Sequence, residues 1–392
     1  MYIETLGLTA QSAVQELEIL ESRLRAENRK ISFAALHHRA GELTHQALAA
    51  LDALSPALHR ATSCGGTMSQ HGLADIGLFV VCDPDGDYGT AHAAFDADTG
   101  SAAQRATEQA LANAGRDGEA PDLVWISITP GSEEDAIRGI EAVVGADVPI
   151  IGGSAADDDV SGKWEVGSSS QASTNGLVVS VLFCSTPLHF AYQNGYVPTA
   201  ASGVVTRSEG RRVFEIDSLP ATEVYHSWNG GDVPRATGGD SENILSKATL
   251  WPLGRKIGAL ADVPYYLLAH PCAANPDGSI DLFAEVAEGE TLTQMQGDRA
   301  ALAARAGRVA EFALKAGDKG AADIAGALMV YCGGCRLAVE DRLEEVYTGV
   351  NTALDTTPFL GVFTFGEQGP VHDAGNRHGN LMISCIAFSK DP

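Results

Sequence analysis

Two cysteines three positions apart, Cys332 and Cys335, have the clearest potential for chemistry in this 392-residue sequence. They follow an apolar segment that predicts a strand and open a helical pattern. A thiol at a helix start is expected to have a lowered pKa, because the helix dipole favours the thiolate. The other cysteines are isolated, so no second pair completes a four-thiolate metal site. A thiol redox or metal-binding protein using Cys332 and Cys335 is therefore one alternative.

Three polar, glycine-containing loops lie near the same predicted strands, at residues 332–336, 364–369 and 372–380. In doubly wound sheets, ligands bind beyond the carboxyl ends of the strands, and glycines there let backbone N–H groups approach a ligand. The loops therefore predict a ligand-binding site. Its predicted residues are Cys332, Cys335, Arg336, Thr364, Phe365, Gly366, Glu367, His378 and Asn380.

Each of these residues also has a purely structural interpretation. Glu367 could pair with Arg336 to hold two loops together, the glycines could form turns, and His378 or Asn380 could cap backbone groups. The acidic run at residues 157–159 could bind a cation through oxygen ligands. In so acidic a chain, however, a solvated loop is the more ordinary expectation.

Eleven histidines leave room for a haem ligand. His189, His226 and His378 flank the segments expected to line a cavity, and they are the candidate haem ligands. The sequence requires no cofactor, and a Soret band of the purified protein would reveal haem. A haem-based nitric oxide sensor is thus a second alternative.

Common catalytic motifs are absent from the sequence. It contains no Gly-x-Ser-x-Gly elbow, no phosphate-binding Gly-x-x-x-x-Gly-Lys and no Gly-x-Gly-x-x-Gly after a strand. The stretch His270-Pro-Cys272 is half of a zinc deaminase signature, but Asn275 stands where a second cysteine is needed. We therefore predict no catalytic residues and no enzyme activity.

One order of apolar and helical segments occurs twice, which indicates an internal repeat. The first copy has its strands and helix at residues 122–128, 133–144, 149–154 and 176–183. The second copy has strand 327–331, a glycine turn at 333–334, a helix through residue 350, and strands 358–366 and 381–388. A weaker copy opens the chain with strand 31–36, helix 46–54 and strands 60–63 and 76–81.

These copies define the expected fold. A strand, crossover helix and strand favour a right-handed βαβ unit, and continuous apolar strands suggest sheets that are covered on both faces. Residues 187–262 hold short alternating runs between glycines and prolines, which predict hairpins. The predicted class is α/β, with duplicated βαβ-containing halves, mixed sheets and an intervening hairpin-rich segment. The predicted divisions are an N-terminal helical extension at 1–24 and α/β domains at 25–200 and 201–392.

Composition restricts the partners and the compartment. The net charge of −25 at pH 7 repels phosphate backbones and anionic lipid surfaces, so nucleic acid and membrane are not expected as partners. The N-terminus has no secretory signal pattern, and no apolar run approaches the roughly 20 residues that cross a bilayer. Seven sparse cysteines fit a reducing compartment. The chain is therefore predicted to be cytoplasmic.

Several segments together resemble the FIST sensory domain family, named for F-box and intracellular signal-transduction proteins. Residues 361–370 and 377–384 are similar to the closing signature of that family, and residues 148–155 are similar to its N-terminal half. Other similar segments are 203–206, 214–217, 219–221 and 283–289. The resemblance spans roughly residues 25–390 in the family's order.

The resemblance implies a bacterial two-part module that binds a small molecule, such as an amino acid. Output would pass to a signalling partner such as a histidine kinase or a cyclic-nucleotide enzyme, because this sequence contains no recognisable output domain. The family also includes a haem-binding branch that senses nitric oxide. This chain departs from the family pattern at Cys332-Gly-Gly-Cys335-Arg336, where many members have Cys, one residue and Gly-Arg.

Overall fold

A computed structural model describes residues 1–55, 57–96, 98–169, 171–236, 238–260 and 263–391. The chain forms three α/β repeats, at residues 2–82, 87–183 and 188–389. Each repeat has an edge strand, a helix, a strand, a crossover helix, a strand, a short hairpin and a last strand. An inserted module, residues 197–296, interrupts the third repeat after its edge strand.

The bounds of the elements follow this order. The first repeat contains β1 (Tyr2–Leu8), α1 (Ala13–Ala26), β2 (Phe33–His38), α2 (His45–Leu54), β3 (Leu58–Thr62), β4 (Thr67–Ser69), β5 (Gly72–Ala74) and β6 (Ile76–Cys82). The second contains β7 (Asp87–Ala94), α3 (Thr99–Ala114), β8 (Leu123–Ile128), α4 (Glu133–Val144), β9 (Ile150–Ser154), β10 (Val166–Ser168), β11 (Gln171–Ser173) and β12 (Gly176–Phe183).

The third repeat is longer because of the inserted module. It begins with β13 (Leu188–Asn194). The module contains β14 (Val197–Glu209), β15 (Arg212–Ile216), β16 (Leu219–Pro220), α5 (Ala221–Trp228), β17 (Glu242–Asn243), α6 (Leu245–Ala248), β18 (Leu253–Leu260), β19 (Val263–Ala269), β20 (Pro271–Ala274), β21 (Ile280–Leu282) and β22 (Thr291–Gln296). The repeat resumes with α7 (Arg299–Ala316), β23 (Ile324–Cys332), α8 (Gly333–Ala338), α9 (Leu343–Leu354), β24 (Phe359–Thr364), β25 (Glu367–Val371), β26 (Gly375–Gly379) and β27 (Met382–Ser389). Two 3-10 turns, Ala321–Asp323 and Glu340–Arg342, complete it.

Each repeat builds a mixed sheet around a βαβ unit. The strand pairs β2–β3, β8–β9 and β23–β24 are parallel, as a crossover helix requires, and the last strand of each repeat is antiparallel to its neighbours. The strand orders are β1-β6-β2-β3, β7-β12-β8-β9 and β13-β27-β23-β24. The three sheets therefore have one topology.

The hairpin of each repeat completes the sheet of another repeat. The β10–β11 hairpin pairs with β3, the β25–β26 hairpin with β9, and the β4–β5 hairpin with β24. The register is equivalent in all three, since Arg60 pairs with Gly167, Gly152 with Gln368 and Val362 with Thr67. The exchange is cyclic, so no repeat has a complete sheet by itself.

The core follows from the alternation of apolar side chains along these strands. One face of each sheet packs against its own helices, and the other faces meet in a central cluster. That cluster joins Phe33 and Phe79 of the first repeat, Trp125 of the second, and Leu328 and Phe388 of the third. The three repeats consequently share one core.

The inserted module forms an antiparallel sheet of its own, in the order β17-β20-β21-β15-β14-β22-β18-β19. This agrees with the hairpins predicted there. The predicted α/β class is confirmed, and the two predicted copies have the same strand order and directions. The weaker copy at the start of the chain is the first repeat.

Some predicted elements differ from those observed. The single helix predicted after Gly333 and Gly334 is divided into α8 and α9 at Val339, whose backbone is not helical (φ −118°, ψ 26°). The Ala338 carbonyl at this break accepts a 2.7 Å hydrogen bond from Arg299 Nε. Residues 1–24, predicted as a helical extension, contain β1, which pairs with β6 as part of the first sheet. The predicted boundary at residue 200 falls within β14, and the domain division stays a prediction.

Candidate ligand-binding site

The carboxyl ends of the three βαβ units converge at the centre of the molecule. The loop after β3 donates from Cys64 N to Phe363 O (3.0 Å), and the loop after β9 donates from Ala156 N to the Thr62 carbonyl (3.2 Å). The loop after β24 donates from Phe365 N to Ser154 O (3.0 Å). These cyclic bonds place the loops after β3, β9 and β24 beside one another, and the predicted ligand-binding loop at 364–369 is one of the three.

A cavity of about 180 Å³ lies where the strand ends of the second and third repeats meet the inserted module. Most of its lining is apolar or aromatic. The lining residues are Pro130, Glu133, Val160, Trp164, Arg211, Leu245, Ser246, Thr249, His270, Phe283, Cys332, Gly334, Leu337, Ala338 and Phe365. Val160 and Leu337 are 41% and 44% exposed, which indicates that they lie at its mouth.

Cys332, the last residue of β23, reaches this cavity, whereas Cys335 does not line it. Cys335 is fully buried, with its Sγ 3.5 Å from the Tyr196 hydroxyl. Both cysteines are free thiols. Burial raises the pKa of the Cys332 thiol well above its ordinary value. The predicted lowering of this pKa is therefore wrong, because desolvation of the thiolate outweighs the dipole of a six-residue helix.

Thr364 and Glu367 lie buried behind Cys332. Thr364 is the parallel-strand neighbour of Cys332, and its hydroxyl donates to Glu367 Oε1 (2.8 Å), while Met382 N donates to Oε2 (2.9 Å). Burial, together with the nearby Cys332, raises the pKa of the Glu367 carboxyl well above its ordinary value. Glu367 thus ties β25 to β27, and these bonds take the place of the pairing with Arg336.

Arg336 extends away from the cavity toward the first repeat. Its guanidinium lies 5.3 Å from the ring centroid of Phe363 and packs against Gly65, where a side chain would collide with it. Gly65 has a left-handed backbone (φ +64°), which the absence of a Cβ allows. Arg336 is thus positioned to hold two repeats together.

The remaining predicted residues support the cavity wall from behind. The Gly366 carbonyl accepts from Ser154 N (2.7 Å). His378 Nε2 donates to the carbonyl of Phe283 (3.0 Å), and Asn380 Oδ1 accepts from the backbone N–H of His270 (3.1 Å). Among the predicted residues, the structure therefore brings Cys332 and Phe365 to the cavity itself, and it places His378 and Asn380 one layer away.

Sequence reasoning missed the contributions of the second repeat and the inserted module. Trp164 packs edge-on against Phe365 with ring centroids 6.1 Å apart. Its loop is closed by the buried Asp157 carboxylate, which accepts from the N–H groups of Val160 (2.6 Å) and Lys163 (2.8 Å). Asp157 thus positions the loop. Asp158 and Asp159 are exposed, as expected for a solvated acidic loop, while Val160 and Trp164 line the cavity. Only the tertiary fold brings this loop to Phe365.

Charged groups form one side of the cavity. The Arg211 guanidinium bridges Glu133 (2.5 Å) and Glu134 (2.6 Å). Burial alone would raise the pKa of the Glu133 carboxyl, but His378 and Arg211 bring it down to about 2. Oxygen and nitrogen atoms of Glu133, Glu134 and His378 lie within 4.8 Å of one another, a spacing that suits a metal ion. Arg211 supplies one positive charge against these two carboxylates.

The three candidate haem ligands lie elsewhere. His189 bonds Ser389 Oγ through Nε2 (3.1 Å) on β13, and His226 Nδ1 donates to the carbonyl of Val233 (2.8 Å) in the inserted module. Both nitrogens of His378 have partners, the second being Gln368 (3.2 Å). None of the three belongs to the described lining, so they do not fit as axial ligands of a haem in this cavity. The absorption spectrum remains the test for haem.

Family models match most of the chain. The FIST N domain matches residues 31–218, and the FIST C domain matches residues 221–370. The chain belongs to the FIST family. The resemblance noted in the sequence is thereby confirmed, and FIST domains are sensory domains for small ligands in signal transduction. No curated protein matches this FIST chain significantly.

Solved structures give only weak similarities to this FIST chain. A cyanuric acid hydrolase from A. caulinodans is 9% identical over 99% of both chains, with a TM-score of 0.37. A second cyanuric acid hydrolase structure is 10% identical over 99% of both chains, with a TM-score of 0.39. Phosphoribosylformylglycinamidine synthase II from Thermotoga maritima is 11% identical over 99% of this chain and 72% of that one, at 0.20. With TM-scores below 0.5, these similarities do not indicate the activity of this FIST chain.

Within the part of the FIST chain that the structure describes, no helix has the length and apolar character needed to span a bilayer.

Proposed function

We propose that this FIST protein is a sensor that binds a small, mainly apolar ligand in the cavity beside Cys332. The observation that supports this most strongly is the partly enclosed space of about 180 Å³ bordered by Trp164, Phe283 and Phe365. An apolar cavity of about 150 Å³ is large enough for benzene. The ligand body we propose is therefore about the size of one aromatic ring.

The charged wall adds a second requirement. Arg211 is 21% exposed and lines the cavity together with Glu133, so a polar group of the ligand can meet either charge. An amino acid with an apolar side chain combines these features, and it belongs to the ligand class that the family resemblance implies. We propose this class as the first to be screened.

Binding rather than catalysis is our proposal for the same cavity. A nucleophilic cysteine needs a thiolate, and burial raises the pKa of Cys332, which disfavours that form at neutral pH. Both carboxyl oxygens of the adjacent Glu367 already accept hydrogen bonds, from Thr364 and from the backbone N–H of Met382. Both features support a thiol that contacts ligand without reacting with substrate.

The position of the cavity suggests how a ligand could generate a signal. Three parts of the fold form its walls. The second repeat contributes Trp164, the inserted module contributes Phe283, and the third repeat contributes Phe365. A ligand that contacts all three favours the arrangement in which they are closest. We propose that a separate cytoplasmic partner, such as a histidine kinase or a cyclic-nucleotide enzyme, recognises this arrangement.

Ligand protection of Cys332 is the first test. Aromatic fragments and apolar amino acids that raise the melting temperature are expected to slow alkylation of Cys332 by iodoacetamide at pH 9 about tenfold at saturation, because the ligand covers the thiol. Mass spectrometry of the labelled peptides measures the rate. Cys184 is the matched internal control, because it lies outside the cavity and burial raises the pKa of its thiol as well, to about 12, so it should react at an unchanged rate.

A variant that fills the cavity provides the matched test. A Cβ on Gly334 would lie 3.0 Å from Leu381 Cδ2, 3.4 Å from His270 Cε1 and 3.5 Å from Cys332 Sγ, so Gly334→Val adds methyl groups against two lining residues of the cavity. We expect it to weaken fragment binding by about tenfold or more, measured by calorimetry, because volume is lost without a change of charge. Stabilising fragments that leave Cys332 labelling unchanged and bind Gly334→Val normally would place the ligand site elsewhere.

A further inference from the structure

His270 is the histidine among the described residues that line the cavity, and its ring orientation is fixed by the protein. Nε2 lies 3.0 Å from the Leu245 carbonyl, which can only accept a hydrogen bond, so Nε2 carries the ring proton. The backbone N–H of His270 donates to Asn380 Oδ1 (3.1 Å). The remaining nitrogen, Nδ1, is therefore an acceptor.

Nδ1 has no hydrogen-bond partner among the described side chains and backbone groups, although His270 is only 3% exposed. Burial lowers the pKa of His270 to about 4, so the ring stays neutral at pH 7 and Nδ1 keeps its lone pair. Nδ1 is not among the fully shielded polar atoms, so water can reach it, and a ligand that displaces this water without supplying a donor loses that hydrogen bond. An acceptor in the wall of an apolar cavity is thus a site for a donor that the protein does not provide.

The groups around this acceptor are small or apolar. Gly334 lies next to the imidazole ring, since a Cβ at this position would be 3.4 Å from His270 Cε1. The ring of Phe283 packs edge-on against the imidazole, with the two ring centroids 6.0 Å apart. Thr249 uses its hydroxyl as a donor to the Leu245 carbonyl (3.0 Å), so that hydroxyl proton is already committed. Ser246 also lines the cavity, so His270 Nδ1 is one of a few polar atoms that a ligand group can meet in it.

We propose that His270 Nδ1 selects ligands whose ring or apolar body carries a neutral hydrogen-bond donor, a hydroxyl or an N–H group, and rejects ligands of the same shape without one. This inference rests on the proposed function, because it assigns a specificity residue to the same cavity. A site built around a buried polar group discriminates strongly against analogues that leave the group unpaired.

Phenol and toluene are the matched probes, because they differ by a hydroxyl in place of a methyl group. We expect wild-type protein to bind phenol more tightly than toluene at pH 7, in calorimetry. His270→Phe is expected to change the ratio of the two dissociation constants by about tenfold or more in favour of toluene. The Leu245 carbonyl keeps its bond from Thr249 in this variant, so no backbone acceptor is left unpaired.

Two further variants keep the test decisive. His270→Asn retains a side-chain acceptor and is expected to keep part of the preference for phenol, even if His270→Phe folds poorly. His45→Phe changes an exposed histidine at the start of α2 and is expected to leave the ratio unchanged. Thermal unfolding of each variant shows whether it is folded.

The outcomes separate this inference from the proposed function. If both probes bind and protect Cys332 but their ratio is the same in wild type, His270→Phe and His270→Asn, the role of His270 is wrong and the cavity stands. If neither probe binds to wild type or slows Cys332 alkylation, the proposed cavity fails, and the donor preference fails with it.

Discussion

Residues 1–219 and 220–392, produced as two separate chains, are each expected to lack a cooperative unfolding transition. The cut lies between the two matched family regions, 31–218 and 221–370. The N-terminal fragment loses the β25–β26 hairpin that pairs with β9, and the C-terminal fragment loses the β4–β5 hairpin that pairs with β24. Each fragment would then carry an unpaired strand edge, which favours aggregation.

The shared interior makes the effect large. In the intact chain Phe79 packs against Phe388 with ring centroids 5.5 Å apart, and Ser63 Oγ accepts from Phe363 N (2.8 Å) in the buried interior. The cut removes both contacts and exposes the central core in both fragments. Since a native domain is stable by only about 5–15 kcal/mol, losing part of one core is enough to unfold each half.

A circular permutant is the matched control for this experiment. The N-terminal ammonium lies 3.3 Å from the Lys390 carbonyl, so a short linker can join the ends of the chain. New termini between the exposed Pro84 and Asp85 interrupt only the turn between β6 and β7. This permutant keeps every hairpin exchange and is expected to unfold in one transition. A cooperative transition in fragment 1–219 alone, by circular dichroism, would contradict the exchanged architecture.

Stability is expected to fall steeply as the pH drops from 6.5 to 5. His37, His59 and His270 are buried, and desolvation lowers the pKa of each, to about 3 for His37 and about 4 for His270. In the unfolded chain these rings take up protons below about pH 6.5, whereas in the folded chain they do not. The unfolded state therefore binds more protons in this window, and the free energy of unfolding decreases as the pH falls.

One group acts in the opposite direction. The raised pKa of Glu367 keeps a proton in the folded state that the unfolded chain loses above about pH 4.5, so its contribution to stability grows as the pH falls. Burial also lowers the pKa of His38, so the histidines outnumber this carboxyl and stability is expected to decrease as the pH falls. Urea unfolding at several pH values between 7 and 5 measures this slope.

His37 allows the slope to be assigned to single residues. Neither of its ring nitrogens has a hydrogen-bond partner, whereas His59 bonds Ser180 and Ser127 at 2.9 Å each. His37→Leu removes one titrating ring without breaking a hydrogen bond, and it should reduce the slope by about 1 kcal/mol per pH unit. His45→Leu, at an exposed site, should leave it unchanged. Equal slopes in wild type and His37→Leu would show that this ring does not govern acid stability.

The sequence predicted the repeats because each has a local pattern. Continuous apolar runs such as 123–128 and 382–389 give strands regardless of what they pair with, and the helix at 133–144 has the predicted bounds. The hairpin exchange has no such pattern. Strands as short as Thr67–Ser69 carry too few side chains to specify a partner that lies elsewhere in the chain.

The site was only partly predictable for the same reason. The rule that ligands bind at the carboxyl ends of strands led to Cys332 and Phe365. His270 and Trp164 reach the cavity through the inserted module and the Asp157 loop, whose positions depend on long-range contacts. The predicted direction of the Cys332 pKa shift was wrong. The sequence shows that the thiol lies at a helix start, but it does not show that the thiol is buried, and burial raises the pKa.

A crystal structure of the protein soaked with 4-bromophenol tests the central claim most directly, because the anomalous signal of bromine locates the ring. We expect one dominant bromine peak between Trp164, Phe283 and Phe365, with the hydroxyl of 4-bromophenol directed at His270 Nδ1. A cavity that contains only water, with bromine instead in the groove lined by His92 and Arg105, would contradict it.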